Sequence, residues 1–274
     1  MTTDITDTVR LPLQTEKIIA EIRGGTGWIA INNPERRNAV SREMWIGLAD
    51  AANAFAADDR VRVVVLYGTG GKAFAAGADI SEFKEHRANA EQQKAYGEIS
   101  ARGRLALETL AKPLIAMVDG FCIGGGLAIA LQADVRFASV GSRFGIPAAK
   151  LGLGYGYDGL ATLARLVGPS TARDMLFSAR QLEAEEALRR GLVNFVVEKD
   201  ELLARVTAYA DTIAANAPLT VRAAKAIMNA YEHYADASDS PALADMVRAC
   251  FDSADYQEGR TAFMEKRPAK FTGQ

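Results

Sequence analysis

The stretch Asp119-Gly120-Phe121-Cys122-Ile123-Gly124-Gly125-Gly126-Leu127-Ala128-Ile129-Ala130 decides how this chain reads. The apolar run 113–118 before it has the length of a strand, and three consecutive glycines lead from there into an alanine-rich helix. Glycines strip side chains from the first helical turn, where N–H groups without intrahelical acceptors and the positive dipole end point outward. Such a turn holds an anion, or a carbonyl oxygen on its way to becoming one. Upstream, Lys72-Ala73-Phe74-Ala75-Ala76-Gly77-Ala78-Asp79-Ile80 has a similar look: small residues opening a polar turn after a strand. Two such turns can supply one N–H each to a single oxygen.

Working outward, residues 18–22 and 28–31 flank Gly24-Gly25-Thr26-Gly27 and predict a hairpin with a glycine turn. Ser41 predicts a helix cap with Glu43 in the first turn, and Met44, Leu48, Ala51 and Phe55 fall at helical spacing on its buried face. Residues 61–66 form a mostly apolar strand ending at Gly68-Thr69-Gly70-Gly71. Residues 81–90 are charged and read as a surface segment, followed by a helix over 98–110. Repeated alternation of strands and helices gives an α/β layered class. After Gly168-Pro169 the chain reads as almost entirely helical, with one short strand at 194–197 and helices over 201–215 and 219–234.

With 274 residues, 49% of them apolar, the chain can bury one large core without disulfides. Its two cysteines, Cys122 and Cys250, lack metal or redox spacing and read as reduced core residues of a cytoplasmic protein. Thirty-two basic against thirty-four acidic residues give no broad attraction for nucleic acid. Residues 1–17 carry Asp4, Asp7 and Glu16 and no apolar run, which argues against a secretory signal. Nothing approaches the ~20 apolar residues needed to span a bilayer, so no membrane is expected. Gly68-Thr69-Gly70-Gly71-Lys72-Ala73 and Gly154-Tyr155-Gly156-Tyr157-Asp158-Gly159 fit glycine-rich nucleotide patterns, but neither sits between a strand and a helix as the dinucleotide fingerprint requires. With His86 and His233 as its only histidines, the chain offers little for a Ser-His-Asp or His-rich metal site, and no metal is expected. Both histidines read as exposed or interfacial residues.

Taken in order, Asn33-Pro34, Arg37-Asn38-Ala39, Ala76-Gly77-Ala78-Asp79-Ile80, Gly124-Gly125-Gly126, Phe144-Gly145-Ile146-Pro147, Gly191-Leu192-Val193 and Phe263-Met264-Glu265-Lys266-Arg267 resemble the crotonase (enoyl-CoA hydratase/isomerase) family from about residue 15 to 271. The resemblance implies a spiral of strand-strand-helix repeats over 1–200. It further implies a helical C-terminal trimerisation region over 201–274, assembled as a homotrimer or a dimer of trimers. It implies an acyl-CoA thioester as substrate, with coenzyme A part of that substrate and no permanently bound cofactor. The thioester oxygen would sit between the N–H groups of Ala78 and Gly125. Ala76, Asp79, Ile80, Ser81 and Gly124 would line the coenzyme A side, Phe263 and Lys266 would meet its nucleotide end, and Arg37, like Lys72, would partner a phosphate.

The hydratases of the family also use two glutamates, and the matching positions here are Ala128 and Ala148. Neither moves a proton. The nearest polar replacements are Tyr155 and Asp158, in the segment that lines the acyl pocket of relatives. Tyr155 falls where methylmalonyl-CoA decarboxylases of the family carry a tyrosine, and the run 252–259 is also similar to theirs. Their histidine at the position of Ala78 is absent. The expected function is acyl-CoA processing through a stabilised thioester enolate, by something other than a standard two-glutamate hydratase. Decarboxylation of a malonyl-type thioester and non-catalytic coenzyme A binding are the alternatives.

Overall fold

The computed structural model describes residues 8–79, 82, 90–151, 156–233 and 240–274, with the backbone alone at 90, 93, 158 and 233. Two sheets organise it. The larger has seven strands in the order β1-β2-β3-β4-β6-β8-β11: Thr8–Leu11, Ile18–Arg23, Thr26–Ile31, Val63–Gly68, Leu114–Val118, Val135–Ser139 and Phe195–Val197. The smaller has four, in the order β10-β9-β7-β5: Leu182–Glu183, Arg143–Gly145, Phe121–Ile123 and Ala73–Ala75. From β3 onward the neighbours in the large sheet are parallel, as are β5, β7 and β9 in the small one. Each repeat therefore lays one strand in each sheet and then sends a helix away. The helices are α1 (Arg42–Ala57), α2 (Ala90–Glu108), α3 (Gly125–Ala130), α4 (Ala148–Leu151), α5 (Tyr157–Ser178), α6 (Ala184–Arg189), α7 (Leu202–Ala215), α8 (Pro218–His233), α9 (Pro241–Asp252) and α10 (Ala254–Glu265).

Strand β4 shows why the sequence folds this way. Val64 and Leu66 enter the main core with Phe74, Leu127 and Phe144, whereas Val63 and Val65 face the other way, against Leu202, Val206 and Ala210 of α7. A strand covered on both faces reads as a continuous apolar run. The helical region expected from residue 201 thus begins with a helix packed onto the sheet.

Most of the expected elements form, with shifted ends. Ser41 Oγ accepts Met44 N–H at 3.4 Å and caps α1, whose Met44, Leu48, Ala51 and Phe55 are buried. The hairpin turn is shorter than expected. Arg23 pairs with Thr26, leaving only Gly24 and Gly25 between the strands. Gly27 is a strand residue whose missing side chain makes room for the Phe55 ring, 2.8 Å from where a Cβ would stand. The helix expected over 98–110 is α2, which begins at Ala90. The span α5 is two helices meeting at a kink: Gly168, at φ 78° and ψ 151°, leaves the helical path and Pro169 follows it at the start of the second.

The turns that carry the chain from the large sheet to the small one are tied together at Asp119. Its carboxylate accepts Ser139 Oγ at 2.7 Å and pairs with Lys199 Nζ at 2.9 Å, while Lys199 also donates to Gly71 O. Gly120 N–H donates to Ser142 Oγ at 3.1 Å. One carboxylate thus fixes the β4–β5, β6–β7 and β8–β9 turns relative to each other, and with them the helices that leave the small sheet.

Candidate active site

The segment Asn33 to Val40 forms one wall. A 3-10 turn, Pro34–Arg36, is followed by Arg37 and Asn38 with φ of 52° and 57°. Left-handed backbone is uncommon outside glycine, though asparagine tolerates it best. Here it is held by a fully buried amide. Asn38 Oδ1 accepts Asn33 N–H at 2.8 Å, and Nδ2 donates to Thr69 O at 2.9 Å and Ala73 O at 2.8 Å. Ala76 N–H donates to Arg37 O at 3.0 Å, clamping the wall to the segment that leaves β5.

Val40 then forms a parallel bridge with Ala78. Val40 N–H donates to Gly77 O at 2.8 Å and Asp79 N–H donates to Val40 O at 3.0 Å. Because the Gly77–Ala78 peptide is planar and trans, its N–H leaves from the edge opposite its C=O. The Ala78 N–H therefore points away from Val40. Within 75–79, only Ala76 and Ala78 are more than marginally exposed.

The glycine run supplies the second amide, and its three glycines are needed for three different reasons. Gly124, the helix N-cap, has φ 53° and ψ −114°, a conformation that disfavours any side chain. A Cβ on Gly126 would stand 2.1 Å from Ala75 O, where nothing but hydrogen fits. A Cβ on Gly125 would meet only Ala78 N at 3.6 Å and the Gly77 carbonyl group, an ordinary contact. Gly124 C=O accepts Ala128 N–H at 2.9 Å and so lies along the helix; the Gly125 N–H of the same peptide leaves from the N-terminal end. Neither the Ala78 nor the Gly125 amide donates to a described residue.

The remaining sequence-predicted residues divide clearly. Gly124 is anchored to β9 through its N–H, which donates to Gly145 O at 2.8 Å. Ala128 lies one turn beyond Gly125 on the part-exposed side of α3, and Ala148 is buried at the start of α4, three residues after Gly145. Arg37 is exposed, with its guanidinium 5.7 Å from the Phe121 ring centre, and Lys72 is exposed in the turn just before β5. Asp79 is nearly buried, and Arg36 Nη1 donates to its two carboxylate oxygens at 3.1 and 3.0 Å. Phe263, 83% exposed, and Lys266 stand at the solvent-facing end of α10 and make no ring contact or ion pair with a described residue. Ile80, Ser81, His86 and Tyr155 lie outside the described residues, as do the side chains of Asp158 and His233.

The thiol next to the glycine turn is chemically quiet. Burial pushes the Cys122 thiol far up, so it stays protonated and is no nucleophile. Among the described residues, no three His, Cys, Asp or Glu side chains group as metal ligands. Sequence reasoning gave no role to Arg36, and quoted Asn38 without seeing its buried amide as the hub of the wall. The left-handed pair Arg37–Asn38 leaves no periodic signal.

Two amides on neighbouring turns, each pinned through the carbonyl of its own peptide, lie within a spiral of strand-strand-helix repeats. The model for enoyl-CoA hydratase/isomerase matches residues 21–274. The chain belongs to the enoyl-CoA hydratase/isomerase family. It is 38% identical over 259 residues to the short-chain-enoyl-CoA hydratase of Clostridium acetobutylicum, covering 93% of this chain and 97% of that one. It is 36% identical over 256 residues to the crotonyl-CoA hydratase of Syntrophomonas wolfei, covering 93% and 98%. In three dimensions it is similar to an enoyl-CoA hydratase/carnithine racemase from Magnetospirillum magneticum, with a TM-score of 0.91, 39% identity, and 95% and 97% of the two chains covered. The family resemblance read from the motifs and the mixed α/β architecture with a helical C-terminal region both stand.

Proposed function

We propose that this enzyme binds an acyl-CoA thioester with its carbonyl oxygen between the N–H groups of Ala78 and Gly125, and lowers the barrier to forming the thioester enolate. The observation that carries this reading is that each amide is fixed through the carbonyl of its own peptide unit. Gly77 O is held by Val40 N–H at 2.8 Å and Gly124 O by Ala128 N–H at 2.9 Å. Negative charge that develops on the thioester oxygen meets two dipoles that need no reorganisation, and one such donor is typically worth ~3 kcal/mol in the transition state.

The finer reaction differs from that of a two-glutamate hydratase. Hydration needs a base to activate water and an acid to protonate the α-carbon. Ala128 and Ala148 provide neither, so proton transfer falls to Asp158 or Tyr155. The same two alanines favour a second reading, decarboxylation of a malonyl-type thioester. There the carbon–carbon bond supplies the electrons of the enolate, and a single proton donor completes the reaction.

Assembly follows from the C-terminal helices. No residue of α9 is buried, and Val247 and Phe251 on it are 40% and 60% exposed. Such a surface fits burial against further copies of the chain, as a trimer or a dimer of trimers, which would bring Phe263 and Lys266 toward the nucleotide end of coenzyme A.

Mass spectrometry of purified protein with crotonyl-, 3-enoyl-, methylmalonyl- and ethylmalonyl-CoA tests the reading. Addition of water to crotonyl-CoA supports hydration with substitute groups, and loss of carbon dioxide supports the second reading. Absence of turnover together with saturable coenzyme A binding would overturn both in favour of a non-catalytic role.

A further inference from the structure

The segments 36–40 and 76–79 are joined by four links, three of which are backbone hydrogen bonds: Ala76 N–H to Arg37 O, Val40 N–H to Gly77 O, and Asp79 N–H to Val40 O. The fourth is a side-chain pair. Arg36 Nη1 lies 3.1 and 3.0 Å from the two oxygens of Asp79, whose side chain is 8% exposed against 55% for Arg36. A nearly buried carboxylate beside a coenzyme A site is out of place as a ligand for the coenzyme, whose phosphates are anionic. With a guanidinium against it, it becomes a fixed anchor instead.

We infer that the Arg36–Asp79 pair is a positioning element that sets the direction of the Ala78 N–H. The inference rests on the proposed role of that N–H. Asp79 is held twice, through its N–H and through its carboxylate, and Arg36 leaves the same wall that carries Val40. The pair thereby fixes how the 77–79 turn lies along the wall, and so how the Gly77–Ala78 peptide is rotated. Backbone dipoles stabilise charge only when they are already aimed, and small misplacements are costly. Arg36 is therefore not interchangeable with Arg37 next to it, whose guanidinium lies over Phe121.

The test uses butyryl-CoA labelled with carbon-13 at its carbonyl, a saturated thioester that reads the pocket without needing turnover. Infrared difference spectra of the complex report carbonyl polarisation, and titration gives the Kd. Wild type is expected to lower the carbonyl stretch. Arg36→Met and Asp79→Asn are expected to lose most of that shift while Kd stays within about threefold and the double variant is no worse than the worse single one. Arg36→Lys, which keeps the charge, is expected to recover part of it. A full shift in both single variants overturns the inference, as does a tenfold or larger rise in Kd with the shift retained, which would place the pair in coenzyme binding. If wild type itself shows no shift, the reading of Ala78 and Gly125 fails, and the two failures are thereby distinguished.

Discussion

The backbone nitrogen of Ala78 lies 3.6 Å from the point where a Cβ on Gly125 would stand, so a side chain there would sit directly beside the Ala78 amide. The contact is an ordinary one and Gly125 is not in a left-handed conformation, so Gly125→Ala is expected to fold with a thermal midpoint near that of wild type. Both N–H groups remain in this variant, but the added methyl is expected to hold the thioester oxygen off them, and turnover of the preferred acyl-CoA to fall by ~10²–10³, the order of the cost of losing one such donor. Gly126→Ala is expected to do the opposite of the first part and unfold the region, since its Cβ would lie 2.1 Å from Ala75 O. Thermal denaturation and steady-state kinetics of the two variants separate these outcomes; wild-type turnover in Gly125→Ala would refute the amide reading.

Placing glutamates at the two positions that the motif resemblance assigns to them tests the proposed reaction. Ala128 faces the part-exposed side of the helix that begins at Gly125, and Ala148 heads a short helix just beyond the strand that anchors Gly124. The double variant Ala128→Glu, Ala148→Glu is expected to gain crotonyl-CoA hydration over the parent by ~10², the lower end of what positioned acid–base groups contribute. Burying a carboxylate at 148 is expected to cost more than the ~1–3 kcal/mol of a neutral unpaired polar group. Water addition followed by mass gain checks the first claim and urea unfolding the second. An unchanged hydration rate in a folded double variant would mean that the acyl group is not presented to these positions.

The glycine run, the helix cap at Ser41 and the alternation of elements were legible because each is a local rule: turn conformation, side-chain capping and periodicity. What stayed hidden depends on contacts across the chain. Gly27 looks like a turn residue, yet it is a strand residue that yields space to Phe55, twenty-eight positions away. Arg36 and Arg37 are indistinguishable in sequence, and only the left-handed turn between them and Val40 sends one to Asp79 and the other over Phe121. Asp119 opens the glycine stretch without a visible role, and its part in joining three turns emerges only once the spiral stacks them.

Asn38 is the residue whose loss should hurt the wall most. Three hydrogen bonds converge on its buried amide, from Asn33 N–H and to the carbonyls of Thr69 and Ala73. Asn38→Ala leaves those groups without their partner and puts alanine at φ 57°, for a loss of about 3–5 kcal/mol. Asn38→Asp keeps the shape but sets a carboxylate against two carbonyl oxygens, and is expected to be equally destabilising at neutral pH and milder near pH 4, where an ordinary aspartic acid takes up a proton. Denaturant unfolding at the two pH values checks this, and a loss below 1 kcal/mol for Asn38→Ala would rule out the hub.

The C-terminal tail carries its own pH dependence. Arg267 donates to both oxygens of Glu258 at 2.7 and 2.9 Å, and Lys270 N–H donates to the same carboxylate at 2.8 Å. The guanidinium, foremost, and then the backbone amide bring the Glu258 carboxyl down to about 2. A carboxylate lowered on folding contributes its full stabilisation above its ordinary value of about 4.3, where it is ionised in both states. As pH falls below that value the released tail takes up the proton first, so the contribution shrinks and has gone once pH passes below about 2. Amide exchange at Lys270, corrected for intrinsic rates, is therefore expected to show protection that is steady at pH 5–7 and falls between about pH 4 and 2. Glu258→Gln is expected to expose Lys270 at all pH values and to flatten that window. Asp255 accepts Thr272 and Gly273 N–H at 2.7 and 2.8 Å and holds the tail independently, which is why Lys270 is the reporter. The same pH profile in Glu258→Gln would show that another carboxylate governs the release.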